Sequence, residues 1–337
     1  MKIAQIAPLI ESVPPKLYGG TERAVSYLTE QLVSMGHDVT LFATADSQTS
    51  SRLVPIVPQG LRLTGIRDAG PYNKQQIEQV RQCANDFDVL HFHTDFSHFP
   101  MIRDNPSFNA VTTLHGRLDI QAYIDILIQY QDVGFISISD AQRIPLPTAN
   151  WVTTIPHGLP KRLYNVSLNP DGYLAFLGRI CEEKGIEPAI DIARRSGHHL
   201  KIAAKIDPVD QAYFEAKIKP LLGNSIEFIG EIGDHEKQEL LGGANAVLFP
   251  VTWPEPFGLV MIEAMACGTP VIGSRLGSVP EVITHGVSGY VVDDIESAVS
   301  AITKLDKLDR QQVRQCFDAR FTVEREAIDY LAVYHLV

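Results

Sequence analysis

Two glutamates in the second half of the sequence stand where a polar ligand would need carboxylates. Pro254 and Pro256 keep Glu255 out of a helix, and Gly258 lets the backbone turn into the helix that follows. Glu263 lies on that mostly apolar helix, so its carboxylate needs a partner. We interpret both glutamates as ligand-binding residues. The alternative is a solvated loop residue and a surface helix residue.

Two basic residues follow the first predicted strand of the same half. Gly178 permits close approach to the backbone, and Arg179 and Lys184 place positive charges at the carboxyl end of the strand. An arginine fork and a lysine point charge suit the oxygens of a diphosphate, and the helix N-terminus after Gly258 offers a further anion site. The alternative is a surface ion pair with one of the two glutamates that lie between the cations.

Parallel β-sheets are predicted to position these residues, because short apolar runs alternate with helical patterns along the whole chain. In such sheets ligands bind beyond the carboxyl ends of the strands. The predicted strands are Ile3–Ala7, Val39–Phe42, Val89–Phe92, Val111–Leu114, Phe135–Ile138, Val152–Ile155, Tyr173–Leu177, Leu200–Ala204, Ile226–Phe228, Ala246–Phe249, Pro270–Gly273 and Tyr290–Val292. The predicted helices include Glu22–Met35, Gln75–Asn85, Ile186–Arg195, Glu236–Leu241, Leu259–Ala266, Ile295–Leu305 and a long final helix within Phe317–Leu336.

The composition excludes several classes of protein. The chain has 337 residues, 45% of them hydrophobic, and a formal net charge of −11. A packed globule is therefore expected, and a nucleic-acid binder driven by bulk positive charge is not. The four cysteines are far apart and form no C-x-x-C pair, which favours buried free thiols in a reducing cytosol. Neither a secretory signal nor a membrane-spanning segment is expected.

The glutamate segment belongs to a longer pattern, E-P-F-G-L-V-x-x-E-A-M-A-x-G-x-P-V-I from Glu255 to Ile272, followed by G-S-V-P-E at 277–281 and G-V-S-G-Y-V-V at 286–292. This pattern resembles the donor-binding signature of glycosyltransferase family 4, and G-R-x-x-x-x-K-G at 178–185 resembles a second motif of that family. The resemblance extends over nearly the whole chain. It implies an α/β protein of GT-B fold, in which two Rossmann-like doubly wound parallel-sheet domains face a cleft, with retaining stereochemistry and usually no metal.

The resemblance also implies a domain organisation. An acceptor-side Rossmann-like domain is expected over residues 1–157, joined by the C-terminal helix at about 320–337. A nucleotide-sugar donor domain is expected over residues 173–319. The stretch 158–172 between them is rich in Pro, Gly and Asn without a clear period, which makes it the best linker candidate.

For the donor, the resemblance implies that Arg179 and Lys184 hold the phosphates, that Glu255 accepts hydrogen bonds from sugar hydroxyls and that Glu263 accepts one from the ribose. The expected donor-binding residues are Gly19, Gly20, Gly178, Gly230, Glu231, Ile232, Phe257, Gly258, Leu259 and Glu263. The tandem glycines would close over the phosphate, and residues 230–232 would form the loop on which the base lies. Each of these two segments by itself also fits an ordinary turn. Thr21, after the glycines, is a plausible N-cap.

The first half contributes the expected acceptor side. His115 ends a predicted strand, and the family carries a histidine there that is taken to bond the transferred sugar; a structural histidine is the alternative. His93, Asp95 and Ser139 are expected to line the acceptor site, although Ser139 is equally suited to capping a helix. The loop from Pro8 to Tyr18 is expected to be mobile and to order the substrate.

Two short segments, one with histidines and one with aspartates, contain residue types that can bind a metal ion. His91 and His93 alternate onto one face of a strand and Asp95 follows closely, which is a credible ligand cluster. Lining of the acceptor site and packing are the alternatives. Asp86 and Asp88 form a D-x-D triplet that precedes a strand, so they belong to the opposite edge of the sheet. We expect neither a metal nor another cofactor.

The expected function is retaining transfer of a hexose from a nucleoside diphosphate sugar, of UDP-glucose or GDP-mannose type by resemblance, to a sugar, lipid or small-molecule acceptor in the cytoplasm. His157 stands where the family commonly has the Asn of I-P-N-G, which leaves the geometry there open. The alternatives are a nucleotide-sugar 2-epimerase of the same fold, a non-catalytic nucleotide-sugar binder, and a metal hydrolase built on the His91 cluster. No nucleic-acid partner is expected, and membrane attachment is unsupported.

Overall fold

The chain forms two compact units. The computed structural model describes residues 1–16, 19–66 and 68–337. The first unit consists of Met1–Pro160 together with Val323–Val337, and the second of Lys161–Thr322. Each unit has its own parallel sheet and its own hydrophobic core, so the two halves of the chain are organised separately.

The sheet of the first unit has seven parallel strands: β1 (Lys2–Ile6), β2 (Asp38–Ala43), β3 (Arg52–Pro55), β4 (Val89–Phe92), β5 (Ala110–Thr113), β6 (Phe135–Ser137) and β7 (Trp151–Thr154). Their order is β3-β2-β1-β4-β5-β6-β7. Strand β4 is buried along its whole length, as expected for a parallel sheet that is covered on both faces. The helices of this unit up to residue 160 are α1 (Gly20–Ser34), α2 (Gly70–Cys83), α3 (Phe99–Asp104), α4 (Gln121–Leu127) and α5 (Asp140–Arg143).

The sheet of the second unit has six parallel strands: β8 (Tyr173–Arg179), β9 (Leu200–Lys205), β10 (Ile226–Gly230), β11 (Ala244–Phe249), β12 (Val271–Ser274) and β13 (Gly289–Val292). Their order is β10-β9-β8-β11-β12-β13, so β8 and β11 are neighbours. The helices are α6 (Ile186–Ser196), α7 (Gln211–Tyr213), α8 (Asp234–Gly243), α9 (Leu259–Ala266), α10 (Val279–Val282), α11 (Ile295–Ile302) and α12 (Arg310–Arg320). A 3₁₀ turn, Glu182–Lys184, connects β8 to α6.

The predicted doubly wound architecture is confirmed, and every predicted strand is present to within two residues at each end. One strand, β3, escaped prediction. It lies at the edge of its sheet and pairs only with β2. Its short sequence Arg-Leu-Val-Pro is half-exposed and lacks the continuous apolar run of a strand with two neighbours.

The prediction of one long final helix is wrong, because the structure has two helices in this part of the chain. Helix α12 ends at Arg320, and α13 (Val323–Tyr334) begins two residues after Phe321. The Val323 N–H donates to the carbonyl of Leu159, which takes the place of a bond within a continuous helix. The first unit thereby gains α13. Thr21 was also misplaced as an N-cap, because α1 begins at Gly20.

Two expectations from composition can be compared with the structure. The four cysteines are all free, as predicted; Cys181 and Cys267 are also buried as predicted, whereas Cys83 and Cys316 are half-buried. Burial raises the pKa of the Cys267 thiol to about 12, so this cysteine is a packed, unreactive side chain. Within residues 1–16, 19–66 and 68–337, no helix is both long enough and apolar enough to cross a lipid bilayer.

Candidate active site

Lys184 and Glu255 form an ion pair in the second unit. Lys184 ends the 3₁₀ turn after β8, and Glu255 lies in the loop after the neighbouring strand β11. Nζ of Lys184 is 2.5 Å from Oε2 of Glu255, and the two side chains are only 18% and 9% exposed. The Lys184 ammonium also lies 5.3 Å from the ring centroid of Trp253. A cation and a carboxylate predicted from separate motifs therefore meet at the carboxyl edge of the sheet.

Two glycines let the loops around this pair pack closely. Gly185 has φ +74°, and a Cβ there would lie 1.8 Å from the carbonyl oxygen of Pro250. Gly277 has φ +54°, and a Cβ there would lie 2.3 Å from the carbonyl oxygen of Glu255. That same carbonyl accepts a hydrogen bond of 2.9 Å from the Ser278 N–H. The backbone of Glu255 is thus fixed by a contact that only glycine permits.

Arg179 lies at the end of β8, between two carboxylates that the sequence analysis did not single out. Its guanidinium is 3.6 Å from Asp207 and 3.6 Å from Asp210, both in the segment after β9. These distances exceed those of direct hydrogen bonds. The Arg179 side chain is 34% exposed. Its preceding residue, Gly178, is also in β8.

The loop after Glu255 leads into α9 as the proline and glycine pattern predicted. Gly258 is the N-cap with φ +83°, and a Cβ there would lie 2.7 Å from Cζ of Phe249. Phe257 is buried, and its carbonyl accepts a hydrogen bond of 2.7 Å from the Ser278 hydroxyl. Leu259 is the first residue of α9. Since the first N–H groups of a helix have no partner within it, this end of α9 is suited to an anion.

Glu263 pairs with Lys237, as expected for a carboxylate in apolar surroundings. It is buried on α9, with Oε1 2.8 Å from Nζ of Lys237 on α8 and 3.4 Å from the hydroxyl of Tyr164. The Lys237 side chain is itself only 13% exposed. Lys237 could not be predicted as this partner, because nothing local distinguishes it from other lysines on a polar helix.

The predicted base loop follows β10. Gly230 ends the strand with φ +82°, and Glu231 and Ile232 lead to α8. Glu231 is exposed and Ile232 half-buried. The positive φ of Gly230 turns the chain at the carboxyl edge of the same sheet that carries Arg179.

In the first unit, His115 lies just beyond β5 with its backbone fixed by Gln142. The Gln142 amide nitrogen donates to the carbonyls of Leu114 and Gly116, at 2.8 Å each. Ser139 caps α5 by accepting a hydrogen bond of 3.0 Å from the Gln142 N–H. Ser139 therefore has the capping role that was its alternative, and it helps to hold the residue that positions His115.

The His115 ring lies in a chain of hydrogen bonds. Its Nε2 is 2.9 Å from Nδ1 of His93, whose Nε2 is 2.6 Å from Oε1 of Gln5. Its Nδ1 is 3.4 Å from Nε2 of His157, whose Nδ1 is 3.3 Å from Oε1 of Glu326 on α13. We call these five side chains the histidine relay. His93, expected to line the acceptor site, is buried within the relay.

Burial and neighbouring rings shift the pKa values of the relay. Burial, followed by the neighbouring histidines, lowers the pKa of His93 and of His115 well below the usual value. Burial lowers the pKa of His157 to about 3 and raises that of Glu326 to about 8. At neutral pH the His157–Glu326 contact is therefore a hydrogen bond between neutral groups. Neither Gln5 nor Glu326 was predicted from the sequence.

The predicted alternative of a metal cluster does not form. His91 is fully buried, and its two ring nitrogens lie 2.7 Å from the Tyr334 hydroxyl and 2.7 Å from the Thr113 hydroxyl. Asp95 is an exposed residue in the loop after β4, between the half-buried Thr94 and Phe96. Among the residues that the structure describes, no three His, Cys, Asp or Glu side chains are arranged to hold a metal ion. His91 is therefore a packed side chain, which was one of the three alternatives for this segment, beside a metal site and lining of the acceptor site.

The remaining predicted segments belong to the first unit. Asp88 accepts a hydrogen bond of 2.7 Å from the Lys2 N–H, which places the D-x-D triplet at the start of β1 and β4. Gly19 and Gly20 lie at the start of α1, where a Cβ on Gly19 would come within 2.7 Å of Pro15. Leu17 and Tyr18 of the predicted mobile loop lie outside the described residues.

Comparison with known proteins matches both units. The family model described as Glycosyltransferase Family 4 matches residues 18–155, and that described as Glycosyl transferases group 1 matches residues 165–316. An uncharacterized glycosyltransferase of Methanocaldococcus jannaschii is 36% identical over 345 residues, which cover 87% of this chain and 85% of that protein. A phosphatidyl-myo-inositol mannosyltransferase of Mycobacterium tuberculosis is 28% identical over 353 residues, which cover 95% and 90%.

Solved structures have the same fold. Sucrose-phosphate synthase from Thermosynechococcus elongatus has a TM-score of 0.81 at 20% identity, covering 99% of this chain and 98% of its own. Anabaena HepE, in complex with UDP and glucose, has a TM-score of 0.80 at 19% identity, covering all of both chains. Fold and relatives together define a glycosyltransferase of GT-B type. The chain belongs to glycosyltransferase family 4.

Proposed function

We propose that the protein transfers a hexose from a nucleoside diphosphate sugar to an acceptor hydroxyl with retention of the anomeric configuration. The observation that carries the proposal is the part-buried Lys184–Glu255 pair at the carboxyl edge of the second sheet. A cation for the donor phosphates and a carboxylate for sugar hydroxyls are both held there by neighbouring loops.

Departure of the nucleoside diphosphate puts negative charge on its phosphate oxygens. Arg179, Lys184 and the N-terminus of α9 after Gly258 stabilise that charge, which is worth most when the donors are held in place beforehand. For this role the Arg179 guanidinium exchanges its 3.6 Å contacts with Asp207 and Asp210 for the phosphate oxygens.

We assign the other donor contacts from the family resemblance. Glu255 accepts hydrogen bonds from the hexose hydroxyls, and Glu263 uses Oε2 for the ribose while Oε1 keeps Lys237. The turn at Gly230, with Glu231 and Ile232, takes the base. For the first unit, the resemblance gives Gly19 and Gly20 a role toward the donor phosphate and His115 a role toward the transferred sugar, and we propose both roles here.

The bond changes balance without an enzymic nucleophile. The acceptor oxygen forms a bond to the anomeric carbon on the face from which the phosphate departs. The bond between that carbon and the phosphate oxygen breaks, and the acceptor proton passes to the leaving phosphate. This route requires no metal, because side-chain cations and helix N–H groups supply the positive charge.

The donor class rests on relatives. A mannosyltransferase and a protein in complex with UDP and glucose are among them, which supports GDP-mannose or UDP-glucose as the donor and a sugar, lipid or small-molecule acceptor. We place the enzyme in the cytoplasm, since its cysteines are free thiols.

The test measures donor binding and transfer with the full chain. UDP-, GDP- and ADP-sugars are first screened by thermal shift. The sugar nucleotide that binds is then incubated with candidate acceptors, with and without a chelator. NMR of the product assigns its anomeric configuration. Lys184→Ala and Glu255→Ala should each lower kcat/KM about 10²–10³-fold, while Lys219→Ala, at an exposed lysine paired with Glu215, should not. Donor isomerisation without acceptor would instead indicate an epimerase. Full activity in both site variants would overturn the assignment.

A further inference from the structure

The histidine relay has a direction that its end residues fix. A neutral imidazole donates from one nitrogen and accepts at the other. Because Oε1 of Gln5 can only accept, His93 donates from Nε2 and accepts at Nδ1 from His115. His115 then accepts at Nδ1 from His157, and His157 accepts at Nδ1. The last donor must be Glu326, whose carboxyl group can donate only when it carries a proton.

The same direction continues beyond Gln5. The Gln5 amide nitrogen donates to the Tyr334 hydroxyl at 3.2 Å, and Tyr334 donates to Nδ1 of His91 at 2.7 Å. His91 then donates from Nε2 to the Thr113 hydroxyl at 2.7 Å. Thr113 and the Tyr330 hydroxyl, 3.0 Å apart, end the chain. In this orientation each donor has an acceptor as far as the Thr113–Tyr330 pair, where either hydroxyl can be the donor.

The surroundings of Glu326 favour its neutral form. Its Oε2 accepts a hydrogen bond of 3.0 Å from the Gly158 N–H, and its side chain is 2% exposed. The neighbouring charge on α13 is Arg325, which is paired with Asp329 at 2.7 Å and turned toward the backbone of Pro156. Burial is the largest cause of the raised pKa of Glu326, with Arg325 opposing it and Asp329 reinforcing it.

We propose that Glu326, acting through His157, is a positioning residue that decides which ring nitrogen of His115 carries the proton. With Glu326 protonated, His115 carries its proton on Nε2 and offers Nδ1 as an acceptor. When Glu326 ionises, it must accept from His157, which then accepts from Nδ1–H of His115. His93 reverses in turn, and the Gln5 amide rotates to donate.

The contacts on either side of His157 are the longest in the relay, at 3.3 and 3.4 Å. The Nδ1 atom of His115 is therefore the atom most readily given to a ligand hydroxyl, and its ability to accept depends on Glu326. This role in sugar binding rests on the proposed function. The coupling between Glu326 and His115 does not, because it is a property of the unliganded first unit.

The test reads the tautomer directly. Ring-¹⁵N-histidine NMR of the full chain, with His115 assigned by its substitution, is followed from about pH 6 to about pH 10. In the wild type, the proton of His115 should move from Nε2 to Nδ1 as pH rises through the pKa of Glu326. Glu326→Gln should hold it on Nε2 throughout, because a Gln amide donates to His157 and accepts from Gly158 at every pH.

His157→Asn supplies the matched control, since it leaves Glu326 in place but removes the imidazole that connects it to His115. In this variant the His115 tautomer should no longer follow pH. A wild-type His115 that keeps one tautomer over the range, or that switches equally in Glu326→Gln, would overturn the proposal. If His115 switches as expected while no sugar transfer is found, the relay stands and only the proposed function fails. If transfer is found, the wild-type kcat/KM should fall about tenfold per pH unit on the alkaline side, and Glu326→Gln should flatten that fall.

Discussion

Nζ of Lys184 lies 2.5 Å from Oε2 of Glu255, although 71 residues separate them in the chain. Each residue follows one of two adjacent strands, so sheet order brings them together. Both side chains are mostly withdrawn from water, and removing one partner leaves an uncompensated charge. The pair is therefore both a structural element and the centre of the candidate donor site.

A double-substitution experiment separates these two roles. Lys184→Met should lower the free energy of unfolding by about 3 kcal/mol, because it leaves Glu255 charged, buried and unpaired. Adding Glu255→Gln should recover about half of that loss, since no unpaired charge remains. The double variant should still lack transferase activity. Urea unfolding and initial rates measure the two effects, and equal losses of stability in the single and double variants would contradict this account.

Gly277 provides a test of how Glu255 is held. Gly277→Ala should disturb the loop, because the new Cβ would lie 2.3 Å from the Glu255 carbonyl oxygen. Gly286→Ala is the control, with φ +78° and no atom within 4 Å of its Cβ. Both variants incur the strain of positive φ, about 1 kcal/mol. Only Gly277→Ala should reduce kcat/KM by a factor of about 10 or more. The same activity in both variants would show that the close approach is dispensable.

Buried neutral histidines predict weakening of the fold in acid. Burial lowers the pKa of His98 to about 3, so the unfolded chain binds its proton first as pH falls. The free energy of unfolding is therefore highest above about pH 6.5, the pKa of an unfolded histidine. As pH falls from there toward the folded pKa, each such histidine lowers the free energy of unfolding by about 1.4 kcal/mol per pH unit.

His98→Gln should reduce this pH dependence, measured by urea unfolding between about pH 7 and about pH 5. The His98 ring is fully buried, with hydrogen bonds to Thr94 and Thr112, so the variant also loses stability at neutral pH. His235→Gln, at a side chain that is 87% exposed, should leave the slope unchanged. An unaltered slope in His98→Gln would mean that its ring is protonated in the folded state.

Glu326 predicts the opposite dependence, a loss of stability as pH rises from about 5 to about 8. Burial raises its folded pKa to about 8, so its contribution is complete below the unfolded pKa of about 4.3 and is lost as pH rises through about 8. Relative to Glu326→Gln, the wild type should lose on the order of 3 kcal/mol between about pH 5 and about pH 8. Parallel stability curves for the two proteins, from denaturant titrations over this range, would show that Glu326 is ionised in the folded state.

Much of the candidate donor site could be predicted because its residues lie in continuous motifs. The prolines around Glu255 and the glycine before α9 act on neighbouring backbone, and the structure has the turn and helix start that they predict. The edge strand β3 and the break between α12 and α13 could not be predicted this way. Both depend on what a segment packs against, and the local pattern does not contain that information.

The histidine relay shows where local pattern is insufficient. Its histidines could be placed after β4, β5 and β7, but Glu326 lies 169 residues beyond His157. The one available signal is a carboxylate on the apolar face of α13, beside Val323, Ala327 and Tyr330, all of which are buried. That spacing shows that Glu326 needs a buried partner without showing which residue provides it.

The sequence by itself determined the two parallel sheets and the edge at which charged residues gather, because periodicity and turn residues act over a few positions. Only the tertiary structure decided that Lys237 neutralises Glu263, that Asp207 and Asp210 flank Arg179, and that Glu326 ends the relay. Such partners meet because strand order and helix packing bring distant segments together. The energy of a buried charge depends on those neighbours rather than on the residues beside it in the chain.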